Sequence, residues 1–318
     1  MPAVRLGIAY RMHFRYSEAV TESQNEVRVR PRDDEHQRVL SYRLTARPPL
    51  NVLLVPDYWG TTVEYIGIRT PHTELELLAE AAVETQPRPV PTEAAAISAL
   101  SDTDFRTAHL EFLAPSQHVQ WDRGDAVERR AEAAVAGASS VQDMVAAVVA
   151  EARTVLTYRQ GTTDIGVTLA ELLSGGEGVC QDFAHVALGM LRSAGVPARY
   201  VSGYLFAADE TAANSEAADV VSVQTHAWIE AAVPGWGWWA LDPTNGGAVG
   251  ERHVVIGCGR DYGDVPPVRG AFTGSGTAEV DAEVVIGRQA DGHRAGPAGS
   301  VAAPPALSRR HQQSQQQQ

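Results

Sequence analysis

The feature that most constrains this chain is a glycine-rich turn that leads into a long apolar run. The turn, Gly175-Gly176-Glu177-Gly178, precedes Cys180 and the apolar run 183–194, which ends before Gly195. This pattern predicts a buried helix that begins near Cys180. Unpaired backbone N–H groups and the helix dipole at such a position favour the thiolate form of a cysteine, which is its nucleophilic form.

A free cysteine is more often a small buried hydrophobe than a nucleophile. Two later segments bear on this choice. Residues 225–228 contain His226, and residues 239–245 contain Asp242. A cysteine, a histidine and an aspartate in this order are the parts of an acyl-transfer triad, so the reactive interpretation of Cys180 gains weight.

Together these segments resemble the transglutaminase-like superfamily, in particular its bacterial branch of candidate cysteine proteases with a papain-like core. The resemblance rests on residues 178–184, 195–204, 226–228 and 237–245. It implies that the nucleophile, the base and the orienting carboxylate of the family fall on Cys180, His226 and Asp242.

In the mechanism that follows, His226 takes the proton of Cys180, and Asp242 fixes the imidazole tautomer and orientation. Thiolate attack on an amide then gives a thioester acyl-enzyme, with the backbone N–H of Cys180 as one oxyanion donor. Gln181, Asp182 and Trp228 are further candidates near the substrate or behind the triad. Ligand spacing of Cys and His is absent from the sequence, so neither a metal site nor a cofactor is expected.

Two geometric arguments refine the site. His185 lies five residues after Cys180, about 140° around the same helix, so it is not expected to face the thiol. His226 and Asp242 are predicted to lie on two strands of a hairpin, and they share a face only if the hairpin loop holds an odd number of residues. A three-residue loop, 235–237 with Gly237 left-handed, meets this condition.

Composition limits the partners. The 318 residues carry a net charge of −13, which argues against nucleic acid as a partner, because nucleic-acid binders need clustered basic residues. The sequence lacks an apolar run long enough to span a membrane, and its first residues lack the apolar stretch of a secretory signal. With two cysteines only, we expect a cytoplasmic protein whose partner is a peptide or protein substrate carrying amide groups; its oligomeric state stays open.

The pattern of the whole chain predicts an α+β fold with three parts. Residues 1–90 alternate with period two and predict an antiparallel β-sandwich-like domain. Residues 91–288 are expected to form the papain-like, transglutaminase-like core, with a helix from Val141 and a mobile polar loop at 207–219. The glutamine-rich segment 289–318 is expected to be a disordered tail.

The sequence favours a cysteine-dependent amide hydrolase, with two alternatives. One is a protein-glutamine gamma-glutamyltransferase, which passes the acyl group to an amine instead of water. The other is a non-catalytic relative that only binds peptides, which the presence of all three triad residue types disfavours. The chain has no lysine, so all 26 basic residues are arginine and it cannot crosslink to copies of itself through lysine side chains.

Overall fold

The computed structural model describes residues 3–161, 166–206, 220–223 and 225–289. The predicted mobile loop, 207–219, and the tail beyond residue 289 lie outside the described residues. The fold is α+β: antiparallel sheets come first and a transglutaminase-like core follows, as predicted. None of the helices in the described ranges is long and apolar enough to cross a lipid bilayer.

Numbered in chain order, the strands are β1 Val4–Val20, β2 Glu22–Val27, β3 Gln37–Arg47, β4 Val52–Pro56, β5 Thr62–Ile68, β6 His72–Thr85, β7 Thr157–Tyr158, β8 Glu177–Gly178, β9 Ala198–Leu205, β10 Val220–Val223, β11 Thr225–Val233, β12 Gly237–Asp242, β13 Gly247–Ala248, β14 His253–Gly259, β15 Val268–Thr273 and β16 Ala278–Arg288. The α-helices are α1 Thr103–Ala108, α2 Ala126–Val135, α3 Val141–Val155, α4 Leu169–Gly175 and α5 Cys180–Ser193. Short 3₁₀ helices flank α1, at Ile97–Ser101 and Leu110–Phe112, and a third lies at Tyr262–Asp264.

Two sheets form the N-terminal part of the molecule. One has the order β10-β16-β1-β6-β3, and the other has the order β15-β2-β5-β4. Strand β1 alternates buried and more exposed positions along much of its length, so its apolar side chains enter a single cluster with those of β5 and β6. This is the arrangement that period-two alternation predicts for half-buried strands.

The C-terminal strands differ from the expected division of the chain. Strand β16 pairs with β1 over eleven residue pairs, from Leu6 opposite Arg288 to Tyr16 opposite Ala278, and β15 pairs with β2. Residues 268–288, which the sequence placed in the catalytic core, therefore complete the two N-terminal sheets. The physical reason is that β1 would otherwise leave a long row of unpaired backbone groups at the sheet edge.

The second half of the chain builds a sheet of order β13-β12-β11-β9-β14 with α5 packed against it. Ala227, Ile229 and Ala231 of β11 join the cluster of buried residues around α5. Tyr204 and Val254, farther along the same sheet, join the apolar cluster of the N-terminal sheets. The core sheet is thus packed on both the central helix and the N-terminal part.

Helix α5 begins at Cys180, as predicted. Its N-cap residue, Val179, has no polar side chain to cap the first turn, whereas Asp182 Oδ2 accepts the Val179 N–H at 2.8 Å. The helix ends where Gly195 adopts a left-handed φ of 81°, with the Gly195 N–H donated to the Arg192 carbonyl. The helix start therefore presents Cys180 beside first-turn N–H groups that the N-cap side chain does not satisfy.

The loop of the hairpin between β11 and β12 holds an odd number of residues, as predicted. Val233 pairs with Gly237, so the loop is 234–236 rather than the predicted 235–237. The Trp236 N–H closes the turn on the Val233 carbonyl, and Gly235 and Gly237 both have positive φ, 77° and 114°. A register that pairs Ile229 with Leu241 places His226 and Asp242 on the same face.

Gly203→Ala is expected to cost about 2 to 4 kcal/mol of the free energy of unfolding, measured by urea denaturation. Gly203 lies opposite His226 in the sheet, and an added Cβ would lie closer than 3.0 Å to the Val254 carbonyl oxygen and to the Trp228 ring. Gly137→Ala is the control, because an added Cβ there meets open space. Equal stability of the two variants would contradict the close packing behind His226.

Candidate active site

A tight turn after β12 holds the Asp242 carboxylate. Oδ1 accepts the backbone N–H groups of Thr244 at 2.9 Å and of Asn245 at 3.1 Å, and the Asp242 carbonyl accepts the Gly246 N–H. The bond to Thr244 forms an Asx turn, in which an aspartate side chain accepts the backbone N–H two residues later. Asp242 is only 1% exposed, so the turn fixes a buried carboxylate.

The other oxygen of Asp242, Oδ2, is shared by three side chains. It lies 2.8 Å from His226 Nε2, 2.7 Å from Asn245 Nδ2 and 3.3 Å from His253 Nε2. Together with the two bonds to Oδ1, the carboxylate therefore has five hydrogen-bond donors around it. Such saturation favours the ionised form of a buried carboxylate.

His226 lies between Asp242 and Cys180. Its Nε2 lies 2.8 Å from Asp242 Oδ2, and the Cys180 side chain lies close enough to act on the pKa of the ring through a hydrogen bond and its charge. The Cys180 sulfur also lies 4.0 Å from the Thr225 carbonyl oxygen, at the start of β11. The structure therefore brings the three residues that sequence reasoning singled out into one array, in the order thiol, imidazole, carboxylate.

The charges in this array reinforce one another. Burial lowers the pKa of His226, but the hydrogen bonds and negative charges of Asp242 and Cys180 outweigh burial and raise that pKa to about 10. Burial would raise the pKa of Asp242, yet its bonds to His226, His253 and Asn245 hold it far below the usual range of a carboxyl. His226 therefore carries a positive charge near neutral pH while it is paired with a fixed carboxylate.

His226, Asp242 and His253 are also a group that could hold a metal ion, since their ligand atoms lie within 4.8 Å of one another. The hydrogen bonds indicate that protons, rather than a metal ion, lie between these side chains. His253 Nδ1 accepts the Gly250 N–H at 3.3 Å, so the ring proton is on Nε2, the atom that a metal would need. Binding of a metal ion would also break the hydrogen bonds from His226 and His253 to Asp242 Oδ2.

The three further sequence candidates occupy different positions. Asp182 is 3% exposed and bonded to Val179, so it closes the turn before Cys180. Gln181 is half-buried in the first turn of α5. Trp228 is fully buried, with its ring centroid 6.1 Å from that of His226 and 5.3 Å from that of His253, so it backs the imidazoles and has no open face for a substrate.

His185 does not face the thiol, as helix geometry predicts. Its Nε2 accepts the Tyr262 N–H at 3.2 Å, and its ring stacks on His118. Burial lowers the pKa of His185 to about 3, since the opposing effect of Asp261 is smaller. His185 is therefore a neutral, packed residue near physiological pH.

Sequence reasoning missed two neighbours of the array. His253 was not among the predicted site residues, because its place beside Asp242 depends on the pairing of β14 with β9. Tyr158, 48% exposed, lies near Cys180: burial raises the pKa of its phenol, and the charge of Cys180 adds to that rise.

Comparison with protein families gives two matches. The model described as the transglutaminase-like superfamily matches residues 128–243, which include all three members of the array. The model described as the bacterial transglutaminase-like N-terminal region matches residues 6–84.

Individual proteins show the same relationship over most of the chain. An uncharacterised protein of Mycobacterium leprae is 35% identical over 90% of this chain and 99% of its own length. An uncharacterised protein of Mycobacterium tuberculosis is 32% identical over 89% of this chain and 92% of its own length. The crystal structure of a candidate cysteine protease from Cytophaga hutchinsonii has a TM-score of 0.69 and 21% identity, covering 91% of this chain and 99% of that protein, which shows a shared fold.

Proposed function

Because the chain belongs to the transglutaminase-like superfamily, we propose that it is a cysteine-dependent amide hydrolase that acts through a thioester acyl-enzyme. The observation that carries this proposal is the array of Cys180, at the start of α5, with His226 and Asp242, which are hydrogen-bonded to each other. Cys180 is the nucleophile, His226 is the base and later the acid, and Asp242 orients the imidazole.

Each step uses a group that the array supplies. The Cys180 thiolate attacks the amide carbonyl, and the carbonyl oxygen takes up negative charge beside the start of α5. The backbone N–H of Cys180 serves there as one donor to the oxyanion. The His226 imidazolium then gives its proton to the departing amine, which leaves an acyl group on the sulfur.

Water completes the reaction in this proposal. The same imidazole, now neutral, takes a proton from a water molecule, which attacks the thioester and releases the acid and the thiol. An amine in place of water would give transglutamination. The resemblance to candidate proteases favours water, and it is this choice that the experiment below addresses.

Supporting residues are proposed on their contacts. Asp182 fixes the backbone just before the nucleophile, and Trp228 holds His226 from behind. Gln181 directly follows Cys180 in the first turn of α5. The substrate is a peptide or protein amide, and the cytoplasm suits the two free thiols, Cys180 and Cys258, because reducing compartments preserve thiols.

The decisive experiment is incubation of the full chain with a library of peptide amides in the presence of a labelled primary amine. Mass spectrometry reads both the hydrolysed and the amine-coupled products. Hydrolysed product is expected to exceed coupled product, since the family analogy favours water as acceptor. Coupling to glutamine-bearing peptides that outpaces release of free glutamate would replace the proposal with transglutamination, and binding without any product would indicate a peptide-binding relative.

A further inference from the structure

We infer that His253 is a positioning residue that acts through Asp242. It donates a hydrogen bond to the same carboxylate oxygen as His226, and this competition limits how tightly His226 holds its proton. The inference rests on the proposed function, because it assigns a purpose to a fourth residue of the same site. It concerns a residue outside the three-member array and on a different strand, β14.

The first support is the sharing of a single atom. Oδ2 of Asp242 accepts from His226 at 2.8 Å, from Asn245 at 2.7 Å and from His253 at 3.3 Å. Oδ1 is already held by two backbone N–H groups, so the turn and Asn245 fix the carboxylate without help from His253. The distinct effect of His253 is therefore on the charge of Oδ2 and on the strength of its bond to His226.

The second support is the tautomer of His253. Its Nδ1 accepts the Gly250 N–H at 3.3 Å, which places the ring proton on Nε2, facing Asp242. Both ring nitrogens are thus engaged, and the ring is 8% exposed and edge-on to Trp228. The surroundings hold His253 in one orientation as a permanent donor to the carboxylate.

The third support is the charge balance around the two rings. Burial lowers the pKa of His253, and the positive charges of His226 and Arg252 act in the same direction, while Asp242 acts against them. His253 therefore stays neutral while His226 carries the proton, since the charged groups acting on His226 are Asp242 and Cys180. A neutral donor on Oδ2 draws charge from the carboxylate and weakens its attraction for the imidazolium.

This division of labour suits a residue that must both take and give a proton. A carboxylate that paired with His226 alone would hold the imidazolium more firmly and make it a poorer acid toward the departing amine. His253 keeps Asp242 ionised and, by competing for Oδ2, keeps the proton of His226 transferable.

The test is the titration of His226 followed by histidine side-chain proton–nitrogen NMR in the full chain. His253→Phe removes the donor and keeps a ring, and His253→Gln keeps an N–H near the position of Nε2. His72→Phe is the matched control, because His72 also has two hydrogen bonds, to Ser23 and the Thr70 carbonyl, but lies in the N-terminal sheets. Thermal unfolding of each variant reports stability separately.

The midpoint for His226 is expected to rise by roughly half to one pH unit in His253→Phe, to return near the native value in His253→Gln, and to stay unchanged in His72→Phe. An unchanged midpoint in His253→Phe would overturn the inference. Should that variant not fold, the native protein decides: a neutral His253 with its proton on Nε2 supports the inference, and a proton on Nδ1 overturns it. The titration does not depend on turnover, so failure of the proposed function would appear in the peptide-amide assay and not here.

Discussion

Cys180→Ala is expected to reduce turnover of a peptide amide by roughly four to six orders of magnitude. The substitution removes the one atom that forms the thioester, while the start of α5 and the binding surface remain. Because Cys180 is only half-buried, the free energy of unfolding should change by about 1 kcal/mol or less. The measurement is product formation under saturating substrate, together with urea denaturation of the same preparation.

The matched control is Cys258→Ala, which removes the other thiol. Cys258 is buried in a small cluster with Trp228 and Val201, and its sulfur lies 3.6 Å from Arg32 Nη1. Its replacement should lower stability by about 1 to 2 kcal/mol and leave turnover within about twofold of the native rate. Turnover that survives in Cys180→Ala and disappears in Cys258→Ala would mean that Cys258, and not Cys180, is the reactive thiol.

Asp242→Asn is expected to lower turnover by roughly two to four orders of magnitude and stability by about 3 to 5 kcal/mol. Donors surround both carboxylate oxygens: backbone N–H groups at Oδ1, and His226, His253 and Asn245 at Oδ2. Whichever way the asparagine amide turns, its own NH₂ group meets donors. If the NH₂ faces His226, the imidazole must adopt the tautomer that cannot take the thiol proton.

Asp261→Asn separates the catalytic from the structural effect. Asp261 is as buried as Asp242, and its two oxygens likewise accept backbone N–H groups, from His118 and Gly263. This variant should lose a similar amount of stability without losing turnover per folded molecule. Equal loss of turnover in both variants would mean that the effect of Asp242→Asn comes from weakened folding alone.

Much of the site could be predicted because its signals are local. Glycines before Cys180 and the apolar run after it predict the helix start, which the structure confirms. Hairpin parity predicts that His226 and Asp242 share a face, and the pairing of Val233 with Gly237 confirms it. The loop was misplaced by one residue, because two nearby glycines, Gly235 and Gly237, both take positive φ.

The features that escaped prediction depend on contacts distant in sequence. The alternation of β16 predicts a strand, but nothing in it identifies β1, more than 260 residues earlier, as its partner. His253 likewise begins a strand that is buried along its whole length, while its place beside Asp242 follows from the pairing of β14 with β9. Such pairing is decided by the packing of whole sheets and leaves no mark within a single segment.

The central claim is that the Cys180 thiolate and the His226 imidazolium form an ion pair. Its most direct test is the rate of iodoacetamide alkylation of Cys180 in the native protein from about pH 5 to pH 9, with each cysteine quantified by peptide mapping. Because the pKa of His226 is raised to about 10, the imidazolium persists over this range, so Cys180 should be alkylated faster than Cys258 throughout. Alkylation of Cys180 that is no faster than that of Cys258 over this range would contradict the account.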